Sequence, residues 1–153
     1  MAGTKNKRVM KETINVLVIE DNEYYNNLIS NAIQQSISPF FFKGNYQLVL
    51  RSYTDAGEYI RKIRSNELKC DHTIVFVDYY LGDNLNATHI INLLKEQSCD
   101  AMIVLLSQSK EVKEKTSQVP YDYFVVKDRF APLLCSLYVR QYIENKYSVS
   151  LDK

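Results

Sequence analysis

The stretch TIVFVDYYLGD, Thr73 to Asp83, decides how this chain is read. Its first five residues, Thr73 to Val77, run without a charged interruption and are mostly β-branched. A strand with one wet face alternates apolar and polar residues. A continuous run is the pattern of a strand covered on both faces, as in a parallel sheet. The run stops at an acid, Asp78.

Working outward, four more runs resemble it: Asn15 to Ile19 (NVLVI), Tyr46 to Tyr53 around Leu48 to Leu50, Ala101 to Leu106 (AMIVLL) and Tyr123 to Val126 (YFVV). Longer stretches with helical spacing lie between and after them. Tyr24 to Ser36 places Leu28, Ile29, Ala32 and Ile33 on one face. Asp55 to Asn66 groups Tyr59, Ile60 and Ile63, with Thr54 as the expected N-cap. Ala87 to Gln97 carries Ile90, Ile91, Leu93 and Leu94, and Lys110 to Gln118 is short and mostly polar. Ala131 to Asn145 carries Leu133, Leu134, Leu137, Tyr138 and Tyr142. Five strands alternating with five helices predict an α/β, doubly wound (βα)5 fold with a five-stranded parallel sheet.

Composition narrows the function classes. The 153 residues hold 19 Lys and Arg against 18 Asp and Glu, a net charge of +1, so no basic surplus marks a nucleic-acid-binding body. Hydrophobic residues make up 46%, enough for a real core. Cys70, Cys99 and Cys135 are scattered with no CxxC, which argues against a disulfide framework or zinc site and fits a reducing compartment. No apolar run reaches the roughly 18–20 residues that span a bilayer. Met1 to Lys11 is basic and polar, without the apolar core of a secretory signal. The expectation is a cytoplasmic protein with a flexible tail at 1–13, one domain at 14–146, a short tail at 147–153 and no output domain after it. Ile37 to Tyr46 (ISPFFFKGNY) reads as an irregular connection broken by Pro39 and Gly44. Its aromatics, Phe40 to Phe42, either tuck beneath the loop as satellite core or form an exposed contact patch.

In a doubly wound sheet, sites form beyond the carboxyl ends of the strands. The residues ending the runs are Glu20 and Asp21, Asp78, Ser107 and Lys127. Crowded carboxylates repel one another unless a cation sits among them. Oxygen donors without histidine or cysteine favour Mg²⁺ over zinc. With Lys127 and the Ser107 hydroxyl they compose a clamp for a phosphoryl group, and a carboxylate in line with phosphorus can become an acyl phosphate. Each residue alone is weak; the ordered set at four strand ends is not.

The ordered motifs IEDN (Ile19 to Asn22), VDYYLGD (Val77 to Asp83), LLSQS (Leu105 to Ser109) and YFVVKD (Tyr123 to Asp128) resemble those of the receiver domains of two-component response regulators, over about Ile14 to Asn145. The resemblance implies a flavodoxin-like strand order 2-1-3-4-5. It makes Asp78 the phosphoacceptor. Mg²⁺ would be held by Asp21, by Asp78, by the main-chain carbonyl of Tyr80 and, through water, by Glu20. Lys127 would pair with the phosphoryl group, Ser107 would sense it, and Phe124 matches the aromatic switch position. An ordinary half-buried strand aromatic is the other reading of Phe124.

There are departures. Asp128 stands where the family usually has proline, and it is expected to cap the last helix instead. Gly82 and Asn86 replace the family's usual proline and glycine, with Asn86 expected to supply a left-handed backbone. Tyr80, two residues past Asp78, is expected to shield an acyl phosphate from water. His72 and His89 carry no chemistry on this reading, and His89 is expected to be solvated.

The function implied is a stand-alone receiver, phosphorylated at Asp78 by a sensor histidine kinase, which switches a protein-binding surface around the fourth and fifth helices. That surface would meet an unknown output protein or, through self-association, form a homodimer. The alternatives are relay of the phosphoryl group to a histidine phosphotransfer domain, and a docking-only receiver. An aspartate-nucleophile phosphatase of the haloacid-dehalogenase type would need a second acid where Tyr80 stands. The resemblance implies no enzyme in the ordinary sense, no DNA partner and no membrane partner.

Overall fold

The computed structural model describes residues 12–43, 46–109 and 119–147. The elements are β1 (Glu12–Ile19), α1 (Glu23–Lys43), β2 (Tyr46–Tyr53), α2 (Ala56–Arg64), β3 (Ile74–Asp78), α3 (Ala87–Glu96), β4 (Met102–Ser107), β5 (Tyr123–Val126) and α4 (Ala131–Tyr147). The five strands are parallel and lie in the order β2-β1-β3-β4-β5. The chain order reverses between β1 and β3, which opens a crevice beyond their carboxyl ends. The predicted helix at Lys110 to Gln118 lies outside the described residues, as do 1–11 and 148–153.

Strand parity divides the core into two layers. Ile14, Val16 and Val18 of β1, Ile74 and Phe76 of β3, Val104 and Leu106 of β4 and Val125 of β5 pack under α1 and α4, against Ile29, Ile33, Ala131, Cys135, Val139 and Ile143. The intervening residues, Leu17, Ile19, Val75, Val77, Ile103 and Leu105, pack under α2 and α3, against Tyr59, Ile63, Ile90 and Leu94. Both faces of β1, β3 and β4 are covered, which is why these strands read as unbroken apolar runs. Side chains buried this fully each contribute about 1.5–3 kcal/mol.

Several local expectations are corrected. Asp55, not Thr54, caps α2: its carboxylate accepts from the Glu58 N–H at 3.2 Å. β1 begins at Glu12, within the expected tail, and pairs there with Tyr46 of β2. The helix predicted to stop at Ser36 continues to Lys43 through Pro39. A proline removes one N–H from the helix ladder but leaves the neighbouring turns bonded, so it weakens a helix without necessarily ending it. How Phe40 to Phe42 pack lies outside the described side chains.

The last helix turns a different face inward. Its buried line is Ala131, Cys135, Val139 and Ile143, four residues apart, while Leu133, Leu134 and Leu137 are exposed. Tyr138 and Tyr142 are half-buried at the edge of the same core layer. The helix carries two apolar stripes, and the one with smaller and β-branched residues closes onto the sheet.

Candidate functional site

The sheet places the strand-end residues by register. Ile19 pairs with Val77, so Glu20 and Asp78 end adjacent parallel strands. Glu20 continues the even parity of Val16 and Val18, and Asp78 that of Ile74 and Phe76. Both therefore belong to the layer beneath α1 and α4. Lys127 continues from Val125 into the same layer, and its backbone N–H donates to the Ser107 carbonyl at 2.7 Å. Its ammonium contacts Glu20 Oε1 and lies 3.1 Å from Asp78 Oδ2. Carboxylate oxygens of Glu20, Asp21 and Asp78 converge within 4.8 Å of one another; Glu20 and Asp78 are buried and Asp21 is exposed. Asp21, Asp78, Ser107 and Lys127 line one cavity of about 350 Å³, together with Asn22, Tyr80, Gln108 and Ser109.

The electrostatics follow from burial. Burial, then the neighbouring Asp78 charge, pushes the Glu20 carboxyl up to about 8. Burial also raises Asp78, against the opposing pull of hydrogen bonds from Glu20 and Lys127. For Lys127, burial works downward, but Glu20 and Asp78 outweigh it and hold the ammonium charged. Three acids against one ammonium leave a surplus of negative charge. An all-oxygen donor set with that surplus suits a hard divalent cation such as Mg²⁺.

Local structure fixes these groups. Asn22 caps α1 by accepting from the Tyr25 N–H at 2.8 Å, and its own N–H donates to Glu20 Oε2 at 3.2 Å. Buried Asn26 donates to the carbonyls of Glu20 and Tyr53, at 3.2 and 3.1 Å, and so locks the end of β1 to β2. The Ser107 hydroxyl, nearly buried, accepts from the Ser109 N–H at 3.4 Å. Phe124 is half-buried against the layer under α2 and α3, its ring 5.9 Å from that of Tyr121.

After Asp78, Tyr80 bridges to Asn86, and Gly82, Asp83 and Asn84 are successive left-handed residues with φ of 77°, 52° and 62°. Asn86 is extended at φ −144°, contrary to expectation. It caps α3 instead, accepting from the Thr88 N–H at 2.9 Å, while exposed His89 accepts from the Asn86 N–H at 3.1 Å. The left-handed positions moved upstream because the tight turn itself, not the helix start, needs them. Asp128 does cap the turn into α4, accepting from the Phe130 N–H at 2.9 Å.

Sequence reasoning passed over Tyr25. Its ring centroid lies 4.9 Å from the Lys127 ammonium, and its hydroxyl donates to the Asp128 carbonyl at 3.3 Å. The available signal was its position in the first turn of the helix that follows the acid pair.

No family model matches the chain, and no curated protein sequence matches it. Solved structures do. The BeF3-activated DrrB receiver domain superposes with a TM-score of 0.63 at 18% identity, covering 86% of this chain and 98% of that one. The response regulator DrrB, a Thermotoga maritima OmpR/PhoB homolog, gives 0.65 at 17% identity, with 88% of this chain matched to about half (54%) of the longer protein. TrrA of Thermotoga maritima, in complex with Mg²⁺ and BeF, gives 0.61 at 18% identity over 84% of this chain and 97% of that one. The fold is that of response regulator receiver domains.

Proposed function

We propose that this chain is a phosphoaccepting receiver of two-component signalling, with Asp78 the acceptor and a sensor histidine kinase the donor. The observation that carries this reading is the meeting of Asp21, Asp78, Ser107 and Lys127 in one cavity at the switch point of a receiver-type sheet. The similarity to receiver domains solved with BeF3 or with Mg²⁺ and BeF supports it.

In this reading a carboxylate oxygen of Asp78 attacks the phosphorus of a phosphohistidine. The new bond is O–P, the P–N bond breaks, and the imidazole leaves with its electron pair and takes up a proton. Lys127 turns from Asp78 towards the incoming phosphoryl oxygens, keeping Glu20 as its second partner. Ser107 gives up its local contact with the Ser109 N–H to donate its hydroxyl to a phosphoryl oxygen. Asp21 and Asp78, with Glu20 behind them, would hold Mg²⁺, which would neutralise charge on that group. Movement of Ser107 frees space on the side where Phe124 is half-buried, which offers a route from the phosphoryl group to the surface near β5. A conversion from 1% to 99% active requires phosphorylation to favour the active state by about 5.5 kcal/mol. The reading places the protein in the cytoplasm, where such kinases present their phosphohistidine; no helix among the described residues is long and apolar enough to cross a membrane.

The test is the intact mass after incubation with a small acyl phosphate and Mg²⁺, and separately with histidine kinases, beside Asp78→Asn. One added phosphoryl group that is absent from the variant is the expected result. No adduct from any donor, with the fold intact, would overturn the reading.

A further inference from the structure

Lys127 reaches the site from the loop after β5, where its backbone N–H donates to the Ser107 carbonyl at 2.7 Å. The ammonium is nearly buried, faces Glu20 and Asp78, and has a third neighbour, the ring of Tyr25 at 4.9 Å from its centroid. The same tyrosine holds the loop's backbone, since its hydroxyl donates to the carbonyl of Asp128, the residue after Lys127. Tyr25 is in turn fixed from below. Its N–H is bonded to the Asn22 cap, whose own N–H is bonded to Glu20. One side chain in the first turn of α1 thus touches both the cation and the peptide that carries it, and is anchored to the acid pair. A ring face attracts an ammonium without binding it at a single point, so the cation can shift from one carboxylate to an arriving anion while staying out of bulk water.

We infer that Tyr25 is a positioning residue for Lys127: its ring cradles the ammonium, and its hydroxyl holds the loop on which the lysine rides. The inference rests on the proposed phosphoacceptor reading for its effect on rate, but not for the contact itself. An aliphatic residue at position 25 would fill part of the space and supply neither interaction. Phenylalanine would keep the ring and lose only the tie to Asp128.

The experiment compares the full chain with Tyr25→Phe and Tyr25→Leu. The first readout is the proton spectrum of the Lys127 ε-methylene. An upfield ring-current shift is expected in wild type, retained in Tyr25→Phe and lost in Tyr25→Leu. No shift in wild type overturns the inference, whatever the phosphorylation result. The second readout is the maximal rate of phosphorylation by a small acyl phosphate, with Mg²⁺ affinity measured alongside. Tyr25→Leu should slow the maximal rate roughly tenfold with Mg²⁺ affinity changed less than about twofold, and Tyr25→Phe should recover most of that loss. An unchanged rate in Tyr25→Leu, or equal loss in both variants together with weakened Mg²⁺ binding, refutes the positioning role. A ring-current shift in a protein that accepts no phosphoryl group from any donor would instead sink the phosphoacceptor reading and leave the contact standing.

Discussion

Glu20 and Asp78 stand side by side at the ends of neighbouring parallel strands, one residue beyond the Ile19–Val77 pair, and share a single ammonium, that of Lys127. With Asp21 they make three acids around one cation. Such a site opposes folding until more positive charge arrives. Asp78→Asn removes one negative charge and keeps an oxygen for Lys127. It should therefore raise stability without divalent cations by about 1 kcal/mol, roughly 2–4 °C in unfolding midpoint at this chain length. Mg²⁺ should raise the wild-type midpoint by mass action and move the variant less. Thermal unfolding followed by circular dichroism decides it, and a lower midpoint for Asp78→Asn would contradict the charge argument.

Tyr80 is 56% exposed, stands edge-on to the Tyr79 ring at 4.8 Å, and lines the same cavity as Asp78. On the proposed function, a ring there obstructs water approaching an acyl phosphate. Tyr80→Asn should shorten the lifetime of phosphorylated protein several-fold, roughly threefold to tenfold, by admitting water. The decay of the phosphorylated mass after removal of donor measures this; an unchanged lifetime would refute the shielding role.

The strands and the site were legible in the sequence for one reason. A strand covered on both faces must be apolar throughout, so Glu20, Asp78 and Ser107 stand out as the points where an apolar run ends in a polar residue that is still buried. Three features were not legible. Pro39 read as a helix end, because a proline's local cost is visible in sequence while the bonding of the turns around it is not. Tyr25 meets Asp128 across 103 residues, a contact that no local pattern encodes. In α4 the large residues Leu133, Leu134 and Leu137 stand out in the sequence pattern, yet Val139 and Ile143 are the buried ones.

That last correction is directly measurable. Leu133→Ala and Leu137→Ala should each change stability by less than about 0.5 kcal/mol, since both side chains are substantially solvated. Ile143→Ala, at a position with no exposure, should cost about 2–5 kcal/mol. Chemical denaturation of the three variants tests the orientation of the helix. Comparable losses at Leu133 and Ile143 would mean that the helix is rotated from the face described.

Cys70 and Cys99, 29 residues apart in sequence, pack against the same core layer, and the Cys99 thiol donates to the His72 carbonyl at 3.6 Å. The neighbouring Cys70 thiol is the main cause that brings Cys99 down to about 7, against burial. Cys135 is pushed up to about 12 by burial alone. The thiolate is the reactive form. Alkylation near neutral pH should therefore reach Cys99 before the other two, and Cys70→Ala should move the pH midpoint of Cys99 labelling upward. Peptide mass mapping over a pH series reads both, and first labelling at Cys135 would contradict them.

His72 is 5% exposed, and its Nε2 lies 2.8 Å from the Tyr59 hydroxyl. Burial brings the imidazole down to about 4 from 6.5, aided by Arg51 and opposed by Asp71. The native state thus holds a neutral ring while the unfolded chain takes up a proton. The stability this group contributes is complete above pH 6.5, falls as pH drops from 6.5 towards 4, and the loss amounts to about 3 kcal/mol when finished. Glu20 acts oppositely: with its pKa raised from 4.5 to about 8, it costs stability as pH rises through that interval. The whole-protein pH profile therefore mixes two slopes, and the histidine must be followed alone. Imidazole carbon-bound proton shifts should show His72 neutral down to about pH 4, and the stability difference between wild type and His72→Gln should shrink as pH falls from 6.5. A His72 midpoint near 6.5, or a stability difference independent of pH, would show that burial and the Tyr59 contact do not hold the ring neutral.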